Sequence, residues 1–229
     1  MKTIKSLILG ALLMGATSAH ALSLDYNTVI SGAIPDGTLP WLTATFSDVT
    51  QKVNGVNTNG VLMVLRAPGL TGSSDFVTEW DFNSKLSTLA GLQHVDTLTG
   101  TQLKSFAAGS DIVHGGTGAL FDMDFIFCSS ASQSKRFDGG DIASVFLYGV
   151  NGLTADSFNA YSDPIDKAYL SEAHIQGITN LTGSSTWVIP GEDNGSGGGG
   201  GTPVVPEPGT ALLLGAGMAG LALYRRTRK

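Results

Sequence analysis

Apolar residues recur at every second position in several short stretches of this chain, and almost nowhere with the spacing of a helix face. Phe76-Val77-Thr78-Glu79-Trp80-Asp81-Phe82 alternates in this way, with Phe76, Thr78, Trp80 and Phe82 on one side of a strand and Glu79 and Asp81 on the other. Ala119 to Phe127 follows the same logic, with Phe121, Met123, Phe125 and Phe127 inward and Asp122 and Asp124 outward. Thr43 to Phe46 is short and β-branched, and Gly60 to Ala67 is apolar on both faces until Pro68 stops it. Ile142 to Val150 is apolar throughout and runs into Asn151-Gly152, a tight-turn signal. Thr186 to Ile189 reads as a closing strand ended by Pro190. Asp163-Pro164 caps at most one or two helical turns into Leu170. Short strands separated by Gly, Ser, Asn and Thr clusters predict an all-β fold: a single β-sandwich, jelly-roll-like, over residues 22–190.

Both ends of the chain break this pattern. Lys2 and Lys5 precede an apolar stretch from Leu7 to Ala16, and Ala19-His20-Ala21 supplies the small residues of a cleavage site, so residues 1–21 read as a secretory signal peptide. Residues 191–205 form a flexible Gly/Pro-rich linker containing the unbroken run Gly197 to Gly201, which cannot bury enough surface to order itself. Val205, Pro206, Glu207 and Pro208 follow, then an uncharged, Leu- and Ala-rich stretch ending at Tyr224. A transmembrane helix over about 209–224 would rise roughly 24 Å, short of the ~30 Å hydrocarbon layer, so flanking cations must snorkel. Arg225, Arg226, Arg228 and Lys229 in the basic tail 225–229 act as the membrane stop and hold the C-terminus inside. Ala19 and Ala21 flank the signal cleavage point.

Within this C-terminal segment, Val-Pro-Glu-Pro, a short apolar helix and a terminal Arg cluster occur in that order over Val204 to Lys229. The segment, 206–229 with its helix and tail, resembles the PEP-CTERM sorting signal of Gram-negative bacteria. The resemblance implies an exosortase, a membrane cysteine transpeptidase, as partner, with Pro206, Glu207 and Pro208 as its recognition residues. It further implies a transient single-pass stay in the inner membrane, delivery to the cell surface or extracellular matrix, and a link to exopolysaccharide. Glu172 to Ile178, together with Gly183-Ser184-Ser185-Thr186-Trp187, is similar to a segment of PEP-CTERM ectodomains of unassigned function.

Gly215-Ala216-Gly217-Met218-Ala219-Gly220 spells a dinucleotide fingerprint, but no βαβ unit or acidic residue follows it, so these are small residues within a membrane helix. Leu70 to Ser74 recurs as Leu181 to Ser185, which reads as two loops of similar turn chemistry.

Charge narrows the partners. The exported part carries 19 acidic against seven basic residues, a net charge of −12, which argues against nucleic acid or anionic lipid. Cys128 is the only cysteine, so burial and not disulfides holds the fold. His94, His114 and His174 lack metal-pair spacing. Carboxylates are the remaining lead. Asp122 and Asp124 share a strand face about 6.5–7 Å apart, and Asp138-Gly139-Gly140-Asp141 is an acidic turn. Asp122, Asp124, Asp138 and Asp141 are therefore the candidate calcium ligands. No other cofactor is expected.

With no assembled catalytic set, the expected function is non-enzymatic: a structural or adhesive surface protein, with Trp41, Trp80 and Trp187 as aromatic contacts for polysaccharide or as core. The alternatives are a secreted glycan-active hydrolase using the four aspartates, whose spacing lies near that of glycosidase pairs, or a calcium-stabilised carbohydrate-binding module.

Overall fold

The computed structural model describes residues 21–72, 74–96, 100–116, 118–130, 136–163, 167–179 and 185–191, all within the compact unit Ala19–Val204. The expected signal peptide up to residue 20, most of the linker, the sorting motif and the helix over 209–224 lie outside the described residues. Among the described residues no helix is long and apolar enough to cross a membrane.

Among the described residues eleven strands carry the fold: β1 (Ala21–Gly32), β2 (Leu42–Val53), β3 (Val56–Arg66), β4 (Phe76–Phe82), β5 (Gln93–Asp96), β6 (Ser105–His114), β7 (Leu120–Ile126), β8 (Phe137–Asp138), β9 (Ile142–Tyr148), β10 (Ser171–Gln176) and β11 (Ser185–Pro190). They form one antiparallel path in the order β5-β9-β3-β2-β1-β11-β10-β4-β7-β6, with β8 added to β4. The path curls until its walls face each other. Phe46 of β2 meets Phe82 of β4 at 5.3 Å between ring centroids, although three strands separate them along the sheet. Tyr26 of β1 meets Trp80 of β4 at 5.1 Å. At the two ends, His94 of β5 lies 4.9 Å from Phe106 of β6. The sandwich-like body is thus a single sheet wrapped around an aromatic core, with Tyr26, Phe46, Trp80, Phe82, Phe125, Phe127, Phe137 and Phe158 fully buried. Each such side chain contributes roughly 1.5–3 kcal/mol by leaving water.

Local sequence accounts for the elements. Asn54-Gly55 closes the β2–β3 hairpin with both φ angles positive, 50° and 83°, as the tight hairpin turn requires. Asn151-Gly152 also forms a turn, with φ of 79° at Gly152. It does not join a hairpin: β9 pairs with β3 and β5, and the chain runs on into a 3-10 turn at Ala155–Phe158. That turn is the helical element among the described residues. Lys167 to Leu170, expected to be helical, is not.

The alternation read in β4 is broken once. Glu79 pairs with His174 and Val77 with Ile175, so Thr78 is extra on its strand and forms a bulge. Val77, not Thr78, therefore enters the core beside Trp80 and Phe82. Phe76 turns outward beneath the Arg136 guanidinium, 4.2 Å from its ring centre. A second apolar cluster, Ala119, Phe121, Tyr169 and Ile189 with Ile30 and Val113 against it, forms where the β6–β7 hairpin reaches its tip.

Candidate functional site

Three neighbouring strands carry a row of carboxylates on the face turned away from the core. Asp81 of β4 stands directly opposite Asp124 of β7 and Glu172 of β10, about 5 Å away at each Cα. Two residues along β4 on the same face, Glu79 stands opposite His174. Glu79, Asp81 and Asp124 each bring a carboxylate oxygen within 4.8 Å of the others.

This face was expected to be solvated, and the structure buries part of it, leaving Glu79 and Asp124 half-buried. Asp81 and Glu172 are both 0 % exposed. The tip of the β6–β7 hairpin covers Glu172: the Gly116 N–H donates to Glu172 Oε1. A side chain at Gly115 would overlap the Glu172 carboxylate, and one at Gly116 would overlap the Trp187 ring. Glycine is what permits the backbone to come this close. Trp187 and His174 stack in parallel at 4.5 Å, and His174 Nδ1 lies 3.1 Å from the Thr78 hydroxyl at the bulge.

Electrostatics follow from the burial. Neither oxygen of Asp81 meets a hydrogen-bond donor, nor does Asp124 Oδ1 or Glu172 Oε2. Burial, then the charges of Glu79, Asp124 and Glu172, drives Asp81 well above the usual carboxylate range. Burial, reinforced by Asp124, pushes Glu79 up to about 7. Burial takes Asp124 to about 6. Glu172 rises to about 7, again by burial first, with the Gly116 N–H opposing and Glu79 adding to the rise. Burial lowers His174. The charges acting on Asp81 are all negative, so the cluster holds carboxylate charge with no cation of its own to balance it. Its donor set is oxygen, which suits a hard cation.

Of the four aspartates singled out from sequence, Asp124 stands in this cluster and the other three do not. Asp122 is a staple: its oxygens accept the N–H groups of Ser84 at 3.0 Å and Asp111 at 3.1 Å. Asp141 Oδ2 accepts the Asp138 N–H at 2.9 Å and the Thr101 hydroxyl at 3.0 Å. Asp138 lies 3.4 Å from Arg136 Nε and pairs with Phe76, five residues along β4 from Asp81. Glu79, Asp81 and Glu172 were the residues that sequence alone passed over. The signal was there, acids at alternate positions of strands, but it acquires meaning only once β7, β4 and β10 are known to be neighbours.

The remaining sequence leads are structural. Trp41 and Trp80 are buried, and Trp187 has His174 on its ring and Gly116 against it, so none of the three is an open aromatic platform. His94 is exposed and packs on Phe106, and His114 ends β6 in solvent. Cys128 is half-buried, its thiol 3.3 Å from the Ser130 hydroxyl.

Beyond the end of β4 lies an open cleft of about 570 Å³, lined by Asn83, Ser84, Thr88, Asp111, Tyr161 and Asp163 among others, with Asp122 also at its wall. Tyr161 is 48 % exposed.

Residues 204–229 match the PEP-CTERM protein-sorting motif. No curated protein and no solved structure matches the chain. The motif implies processing by an exosortase, a membrane protein, and export with a transient stage at the membrane before the surface. With the motif at its C-terminus, the chain is a PEP-CTERM sorting-domain protein.

Proposed function

We propose that this chain is a non-enzymatic surface or matrix protein whose β-domain plays a structural or adhesive role and contacts exopolysaccharide through the cleft at Tyr161. Export begins with the signal peptide 1–21; the helix over 209–224 and the basic tail hold the chain until the exosortase acts; the linker 191–205 lets the motif reach that enzyme. What supports the adhesive part is the cleft itself. Its size falls within the range of small-molecule sites, its wall offers amide, hydroxyl and carboxylate groups matched to sugar hydroxyls, and Tyr161 presents a ring to a pyranose face.

The test is a panel of bacterial exopolysaccharides against the full chain in detergent micelles, followed by calorimetry on any that bind. Binding that falls at least tenfold in Tyr161→Ala supports the reading. Silence across the panel contradicts the adhesive role, and release of new reducing ends from any polymer contradicts the non-enzymatic one.

A further inference from the structure

Asp81 poses a chemical problem that nothing else in the domain solves. It is fully buried, both its oxygens lack a donor, and the charged side chains acting on it are carboxylates. Left alone, such a carboxyl keeps its proton; it ionises in place only when paired, hydrogen-bonded or bound to a metal. Pairing is not offered: the charges acting on Asp81 are those of Glu79, Asp124 and Glu172, and neither ion pair among the described residues includes it. Glu79, Asp81 and Asp124 each bring a carboxylate oxygen within 4.8 Å of the others. Two oxygens bound to one Ca²⁺ lie at most about 5 Å apart, given ligand distances of 2.3–2.6 Å. The 4.8 Å limit on this trio falls within that span.

We propose that the outer face of β4 and β7 binds a calcium ion through the carboxylates of Glu79, Asp81 and Asp124, beside Glu172, which the β6–β7 hairpin tip covers. Three anionic oxygens on two strands form an irregular set, which calcium tolerates, whereas magnesium requires a near-ideal octahedron and keeps its waters. The all-oxygen trio disfavours softer metals. His174, the one nitrogen ligand nearby, has its Nδ1 at the Thr78 hydroxyl and its ring on Trp187. Glu172 stands beside the trio and receives the Gly116 N–H, so the same carboxylate row that meets the ion also anchors the hairpin tip. The site is separate from the polysaccharide cleft, whose lining includes none of Glu79, Asp81 and Asp124, and it does not depend on that reading.

The full chain in detergent micelles, passed over chelating resin at pH 7.5, is titrated with CaCl₂ by calorimetry and with Tb³⁺ by luminescence excited through tryptophan. One ion per chain is expected, and calcium at about 100 times its dissociation constant raises the melting midpoint by about 5–10 °C. Asp81→Asn weakens binding at least 100-fold. Asp124→Asn, at a half-buried position that tolerates the change, weakens it at least tenfold and covers the case in which Asp81→Asn fails to fold. Asp138→Asn leaves binding unchanged. Absence of heat and of a thermal shift at 5 mM calcium overturns the proposal, and so does undiminished binding in Asp124→Asn together with loss in Asp138→Asn.

Discussion

Removing metal from the chain and raising the pH from 5 to 8 should destabilise the β-domain, and the size of the loss follows from the carboxylate row. Burial raises Glu79 and Glu172 from 4.5 to about 7 and Asp124 from 3.8 to about 6. A carboxyl whose value is higher in the folded than in the unfolded chain binds its proton more tightly when folded. Its contribution is therefore intact below about pH 4 and is lost as pH rises through the folded value. At about 1.4 kcal/mol per pH unit, each of the three costs roughly 3 kcal/mol once ionised. Solvent reaching the half-buried groups, and coupling among them, reduces the total to about 4–5 kcal/mol. For a domain of this size that lowers Tm by roughly 10–15 °C between pH 5 and pH 8. The assay is a thermal melt followed by near-ultraviolet circular dichroism at pH 5, 6, 7 and 8, on resin-treated chain with and without calcium. Calcium should abolish most of the fall, because it takes over the carboxylate charge. Asp81→Asn should leave the metal-free profile, which Glu79, Asp124 and Glu172 set, in place and remove the response to calcium. A metal-free chain as stable at pH 8 as at pH 5 would refute the reasoning.

Other perturbations probe the frame that holds the site. Gly116→Ala should push the hairpin tip off Trp187, costing about 1–3 kcal/mol and speeding amide exchange in residues 113–121. Phe46→Ala removes the ring that bridges the two walls at Phe82 and Phe158, and should cost about 3–5 kcal/mol in a denaturant melt. Asp48→Ala leaves the Ala155 N–H, 107 residues away in sequence, without its acceptor; a loss of about 1–3 kcal/mol is expected.

How much of this was legible in the chain depends on which side of a strand is asked about. β4, β7 and β9 were readable nearly to the residue, because aromatic and aliphatic side chains at alternate positions admit one pleated solution. β1 carries the same signal in Leu22, Leu24 and Tyr26, but the strands read from the sequence begin at Thr43 and pass it over. β5 and β6 escaped notice because their side chains are mostly exposed, leaving no apolar period to detect. The bulge at Thr78 is invisible to a period-two reading, since it arises from mismatched register with β10. The carboxylate row was hidden for a related reason. Asp81 and Asp124 look like ordinary outward acids until the pairing of β7, β4 and β10 sets them beside Glu172, which Gly115 and Gly116 cover. Alternation specifies which residues share a face, whereas strand order and hairpin reach decide whether that face meets water.

The account rests on a β-domain that is exported and sorted through its last residues, and intact-mass spectrometry of the protein recovered from the cell surface tests this most directly. The expected mature form begins at Leu22 and ends upstream of Arg225. A chain running from Met1 to Lys229, recovered from the cytosol, would contradict it.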